Sequence, residues 1–290
     1  MTEQDGLSGE ARRVTRAAVL ISIGNVASRA LGLVREMAKS YFFGAGGAVS
    51  AFDVASQVPT MIYDQLVGGM LSASLVPVFT DYARAEDREA LWEVLGHVYS
   101  IIALILGTLV ILLEVAAPVV ARMLGRGLSP EYLQMATTMI RITAPAVFFL
   151  NVAGLLSAAL QALQRFRLPA FTAAVYNATM VVVIVLLGRG PLGVRTLAVG
   201  LLSATVVQAA FQLPGLSGVR LRVRSPFPLH PALLQVGRLY LPIGVGLLVD
   251  QFAVALSYNL ASRTGPSGIA WMKYAATLIQ FPLGLVVTAV

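Results

Sequence analysis

The chain contains no cysteine, which excludes disulfides, thiolate nucleophiles and sulfur-ligated metals. It has two histidines, His97 and His230, far apart and without a second ligand at metal spacing, so the usual zinc arrangements are missing. Charge is scarce: 12% of the residues are Asp, Glu, Lys or Arg, against about 25% in an ordinary soluble domain. There is no serine, histidine and acid set and no carboxylate pair beside a soluble cleft, and the sequence is therefore read as that of a protein that is not an enzyme.

What is present is apolar. Hydrophobic residues make up 57% of the chain and the mean hydropathy is +0.79. The run IIALILGTLVILLEVAAPVVA, 101–121, has Glu114 as its only charge. It is as long as the roughly 20 residues a helix needs to cross the hydrocarbon of a bilayer. Similar windows predict eight helices near 14–40, 48–80, 92–124, 131–163, 169–188, 194–214, 231–262 and 267–290. A membrane β-barrel would show alternating polarity in segments of about ten residues, whereas these runs are continuously apolar. The expected fold is an all-α polytopic membrane protein.

Eight spans make the connections alternate between two sides. One side collects ten arginines: 12, 13, 16, 84, 88, 165, 167, 220, 222 and 224. The other collects six cations: Lys39, Arg122, Arg126, Arg189, Arg195 and Arg263. The positive-inside rule then places the amino terminus in the cytoplasm. Within that topology RLRVRSP is a loop signal, and no nucleic-acid partner is expected. The expected organisation is a cytoplasmic tail over 1–13, a six-helix lobe over 14–214, a basic linker over 215–230, and over 231–290 the first two helices of an incomplete second lobe. The apolar stretch after Arg16 is soon broken by Asn25 and Arg29, so it opens a permanent span rather than a secretion signal. GAGG, 44–47, lacks the preceding strand and following lysine of a phosphate loop, and is expected to be a turn.

The polar residues inside these spans recur with helical spacing. Arg29 and Glu36 fall within about 20° of each other on one helix, Arg35 about 120° away. Lys39 is within i,i+3 reach of Glu36. Asp53, Gln57 and Asp64 form a stripe on the second helix, which Pro59 is expected to kink. Lys273, Thr277 and Gln280 form another on the eighth, and Asp250, Gln251 and Asn259 add polarity to the seventh. Intramembrane charges face partners or wet cavities because exposing them to lipid is costly. The stripes predict one shared aqueous cavity of mixed charge. Separate buried pairs that lock helices together, and surface snorkelling of Arg35, Glu36 and Lys39, are the competing readings. Glu114, Asn151, Asn177, Gln208 and Gln212 are weaker candidates for the same cavity, and Gly154, Ser157 and Ala158 are read as close-packing positions. Kinked helices around a polar centre suit a transporter working by alternating access, and the apolar surround suits a substrate with a lipid tail.

SRALGLVREMAKSYFFGAGGAVSAFDVASQVP, followed by SASLVPVFTDY, LQALQRFRLPAF, QLPGL and WMKYAATLIQFPLGL, resembles the MurJ/MviN lipid II flippase family. The resemblance implies the fold of the multidrug/oligosaccharidyl-lipid/polysaccharide exporter superfamily, with two six-helix lobes. It further implies movement of an undecaprenyl-pyrophosphate-linked peptidoglycan precursor from the inner to the outer leaflet of the bacterial cytoplasmic membrane. On that reading Arg29, Arg35 and Lys273 contact the substrate. Glu36, Asp53, Gln57, Asp64, Asp250, Asn259, Thr277 and Gln280 line the cavity as polar or counter-charged groups. An arginine fork suits a pyrophosphate. The partners implied are the polyprenyl-linked glycan lipid, the bilayer and cell-envelope synthesis proteins. No cofactor or metal is implied, and the carboxylates leave a dependence on membrane potential or an ion gradient open. This sequence departs from the family pattern at Ser50, Tyr63, Asp64, Gly68, Thr277 and Gln280, where charges are usual. Ending at VVTAV, it is read as a truncated, diverged member. The alternatives are export of another polyprenyl-linked oligosaccharide or of cationic drugs, and a transport-inactive membrane scaffold.

Overall fold

A computed structural model describes residues 3–68, 78, 80, 88–216 and 231–289. Among the described residues there are eight bounded α-helices and no strand: α1 Glu3–Phe43, α2 Gly47–Tyr63, α3 Arg88–Leu124, α4 Pro130–Ala162, α5 Arg167–Leu187, α6 Arg195–Gln212, α7 Pro231–Ser262 and α8 Gly268–Ala289. Six of them are long and apolar enough to cross a membrane. The fold is an all-α polytopic membrane bundle.

Local chemistry explains the boundaries. Gly44 turns the chain between α1 and α2 with φ of +70°, a conformation that costs glycine nothing, so GAGG is the turn expected of it. Pro130 at the start of α4 follows Ser129, where a missing N–H is harmless. Two expectations need correction. The first helix, expected to start near 14, begins at Glu3, because the Glu, Ala and Arg residues ahead of that point favour helix. The second helix does not run unbroken to 80: after Pro59 the backbone widens into a π-turn at Asp64–Gly68. The basic linker beyond Leu216 and the arginines at 84, 220, 222 and 224 lie outside the described residues.

The bundle is built on small-residue contacts. α1 packs along α5, α2 along α4, and α6 against both α4 and α5. The buried core is rich in alanine, including Ala51, Ala55, Ala117, Ala121, Ala146, Ala198 and Ala204. Such positions let helix backbones approach closely where no hydrophobic effect drives them together. Gly24 shows how closely, since a Cβ there would run into the carbonyl oxygen of Ala170 on α5. α7 and α8 join this bundle at its α1–α2–α3 side, and α8 touches both α1 and α2. α7 is the less covered of the pair: Leu248, Val249 and Phe252 are all exposed.

Candidate functional site

Three consecutive turns of α2 carry Ser50, Asp53 and Gln57, all buried. Their spacing of three and four keeps them on one helix face. Each reaches a different neighbour. Ser50 accepts a hydrogen bond from the backbone N–H of Ala270, 3.2 Å away in the first turn of α8. That satisfies one of the donors every helix start leaves open.

Asp53 anchors the charged centre. Lys39 on α1 sends its Nζ to Asp53 Oδ1 at 2.9 Å and to Glu36 Oε2 at 2.6 Å. Glu36 and Lys39 meet because they lie three residues apart on one face of α1. Arg35, although directed elsewhere by helical geometry, folds back so that its guanidinium reaches Glu36 Oε1 at 2.7 Å. Its second arm donates to Asn177 Oδ1 on α5 at 2.9 Å, and Asn177 in turn donates to the carbonyl of Ser28 at 3.0 Å. The Lys39 ammonium also sits 4.6 Å from the ring centre of Tyr274 on α8, whose hydroxyl donates to the carbonyl of Gly44. Lys39 is 2% exposed and Asp53 1%. Charges so far from water persist only when paired this closely.

One turn along α2, Gln57 Oε1 accepts hydrogen bonds from Tyr258 Oη of α7 at 2.8 Å and from Lys273 Nζ of α8 at 3.2 Å. Lys273 also donates to Tyr258 Oη at 3.2 Å. The two groups therefore stack on a single stripe. Arg35 and Lys39 pair with Glu36 and Asp53, whereas Lys273 is held by the neutral groups Gln57 and Tyr258. Asp64 is within electrostatic range of Lys273 but has no hydrogen-bond or ion-pair partner among the described residues.

Not every expected residue joins. Arg29 points its guanidinium at the backbone carbonyl of Gln280, 3.4 Å away, two turns of α1 from Glu36, so Lys39 and not Arg29 is the central cation. The Gln280 side chain is exposed, and Thr277 hydrogen-bonds within its own helix to the carbonyl of Lys273. Asp250 is exposed. Asn259 donates to the carbonyl of Met123 on α3. The expected stripe on α8 thus reduces to Lys273, and the polar residues of α7 spread around the helix instead of converging. Surface snorkelling of Glu36 and Lys39 is likewise overturned by their burial. Of the weaker candidates, Asn177 belongs to the cluster, whereas Gln212 ties α6 to Ser157 and Ala153 of α4.

Four participants do not stand out as site residues in the sequence: Lys39, Tyr258, Tyr274 and Tyr176, whose ring centre lies 5.9 Å from the Arg35 guanidinium. Lys39 was counted among the loop cations that set topology. The tyrosines carry an apolar ring and one polar tip, a signal hard to tell from an interfacial aromatic.

On the other side of the α2–α7 seam lies an apolar cleft. A cavity of about 910 Å³ is lined by Val58, Met61, Val119, Phe252 and Leu256, with Arg122, Arg126 and Asn259 at one end. A second, of about 660 Å³, continues past Met61 and Ile62 to Leu104 and Leu248. Gln65 helps close the seam by donating to Tyr240 Oη at 3.1 Å and to the carbonyl of Gly244 at 3.0 Å. Among the described residues no group of three or more His, Asp or Glu side chains is arranged to hold a metal ion.

Comparisons with known proteins agree with this architecture. Residues 39–290 match the family model described as lipid II flippase MurJ. The chain is 26% identical over 269 residues to the probable lipid II flippase MurJ of Haemophilus influenzae, covering 89% of this chain and 53% of that protein. It is 28% identical over 278 residues to the lipid II flippase MurJ of Burkholderia cenocepacia, covering 93% and 54%. The chain thus spans about half the length of the curated relatives it matches. Among solved structures, a lipid II flippase MurJ in an inward closed conformation superposes with a TM-score of 0.77 at 21% identity, covering 92% of this chain and 56% of that one. A MOP superfamily transporter from Pyrococcus furiosus gives 0.74 at 17% identity, covering 94% and 61%. At these identities the structural likeness shows a shared fold.

Proposed function

The chain belongs to the lipid II flippase MurJ family, and from that premise we propose that it takes part in moving a polyprenyl-pyrophosphate-linked peptidoglycan precursor across the bacterial cytoplasmic membrane by alternating access. The observation that carries this reading is the gathering of Arg35 and Lys39 of α1 and Lys273 of α8 beside the polar stripe of α2, where Lys39 meets Asp53 and Lys273 meets Gln57. A pyrophosphate needs convergent cationic donors, and a lipid-linked one needs them inside an apolar bundle.

In this reading Arg35 is the cation of the cluster that the anion reaches before Lys39, because its side chain retains 24% exposure whereas Lys39 is shut away. Lys273, held among the described residues by Gln57 and Tyr258 and by no carboxylate, supplies a second donor. Arg29 stands two turns nearer the amino terminus of α1, where it would meet the anion on its way in. Residues 14–214 form one lobe, and α7 and α8 open a second across the linker at 215–230. The amino terminus is cytoplasmic, as the arginine distribution favours. The protein as encoded in its genome is expected to restore growth to cells depleted of their own lipid II flippase. Arg35→Ala should abolish that rescue. Rescue that survives Arg35→Ala and Lys273→Ala together would remove the cluster from the transport path.

A further inference from the structure

Lys39 and Asp53 raise a question the substrate reading leaves open. A buried ammonium already held by two carboxylates cannot bind an anion, and yet Lys39 is the cation nearest the centre of the cluster. Its two partners are not equivalent. Glu36 has a second cation, because the Arg35 guanidinium contacts its other oxygen. Among the described residues Asp53 has Lys39 alone: its Oδ1 takes the 2.9 Å contact and its Oδ2 has no hydrogen-bond partner. If Lys39 turns toward an anion, Glu36 stays neutralised and Asp53 does not.

The structure assigns Asp53 as a proton-binding site linked to anion binding: Lys39 exchanges Asp53 for a substrate phosphate, and Asp53 takes up one proton from water as it is released. The balance is simple. The Lys39–Asp53 ion pair breaks, a Lys39–phosphate pair forms, and the proton on Asp53 restores the charge. No redox partner or metal is needed. A carboxylate stripped of its counter-ion and held away from water is neutralised by a proton rather than left charged. The open Oδ2 is the atom that receives it. The charged and titratable groups acting on Asp53 are Arg35, Glu36 and Lys39 from α1, Tyr258 from α7, and Lys273 and Tyr274 from α8. Lys273 is oriented on Gln57 and Tyr258 and makes no direct contact with Asp53, so it does not replace Lys39 as partner. Thr143 of α4, the adjoining polar side chain on that helix, gives its hydroxyl proton to the carbonyls of Ala55 and Ile140 and offers Asp53 nothing.

The inference deepens the pyrophosphate reading and rests on it. Its test is the pH dependence of binding of radiolabelled undecaprenyl pyrophosphate to the detergent-solubilised full protein between pH 6 and 8.5. If one proton is taken up with the anion, affinity falls as pH rises, by up to about tenfold per unit. Asp53→Asn, nearly isosteric and still leaving Lys39 its bond to Glu36, should bind at least as tightly as the parent at pH 6 and keep that affinity at pH 8.5. Comparing the two slopes cancels titration of the probe's own phosphate. Lys39→Met should bind more weakly and share the flat profile. Parallel slopes in parent and Asp53→Asn would overturn the proton linkage while leaving the substrate class intact. Binding by no variant at any pH would overturn both.

Discussion

At the residue scale the cluster divides into groups that cannot be altered singly and groups that can. Removing Asp53 to alanine leaves the Lys39 ammonium buried with half its partners, and breaking a buried pair in this way typically costs about 3–5 kcal/mol. The expected result is a large fall in the thermal unfolding midpoint of the purified protein, with Asp53→Asn much less affected. Tyr258→Phe removes one hydrogen bond to Gln57 and one to Lys273 without opening a cavity, and should cost on the order of 1 kcal/mol. Asp250→Asn alters an exposed side chain and should stay within about 0.5 kcal/mol of the parent. If Asp250→Asn proves as damaging as Asp53→Ala, the division is misplaced. The same contrast explains why Asp53 and Asp250, both acids in apolar helices, looked equivalent before the fold was seen.

At the element scale the governing feature is how near the backbones come. Gly24 lets α1 lie against the Ala170 carbonyl of α5, so Gly24→Leu should force the two helices apart and cost on the order of 1–3 kcal/mol. Unfolding by heat should show it, whereas the same change at Gly107, which has open space around it, should be mild. The helices themselves were legible because a continuous apolar run bounded by Gly, Pro and Arg has few alternatives in a membrane. The polar stripe of α2 was legible in part: Asp53 and Gln57 share a face by spacing alone. What spacing could not supply was the rotation of α7, a helix apolar on nearly all sides, for which no periodicity says which face turns inward. For that reason the sequence does not show that Tyr258 faces Gln57 while Asp250 is exposed and Asn259 turns toward α3. Lys39 escaped because its partner lies 14 residues away across a turn, and pairing between helices leaves no periodic trace. The π-turn at Asp64–Gly68 was equally invisible, since it changes the register of a helix without changing its composition.

At the scale of the whole molecule the absence of cysteine becomes a tool, because any introduced thiol is unique. Leu192 lies in the turn between α5 and α6 and Arg263 in the turn between α7 and α8, while Arg165 lies between α4 and α5. If the amino terminus is cytoplasmic, Leu192→Cys and Arg263→Cys should react with a membrane-impermeant maleimide in intact cells. Arg165→Cys should react only after the membrane is opened. The reverse pattern would invert the topology and with it the direction assigned to transport.

The seam along α2 has a mechanical meaning. Where side chains interlock, as between α1 and α5, two helices must part before they can slide. Besides their apolar packing, α7 and α8 are tied to α2 by single polar contacts: Ser50 to Ala270, Gln57 to Tyr258 and Lys273, Gln65 to Tyr240. A fastening of that kind can pass from one acceptor to the next without ever being fully undone. The α2 seam therefore differs in kind from the α1–α5 contact, because hydrogen bonds and not backbone approach set its register.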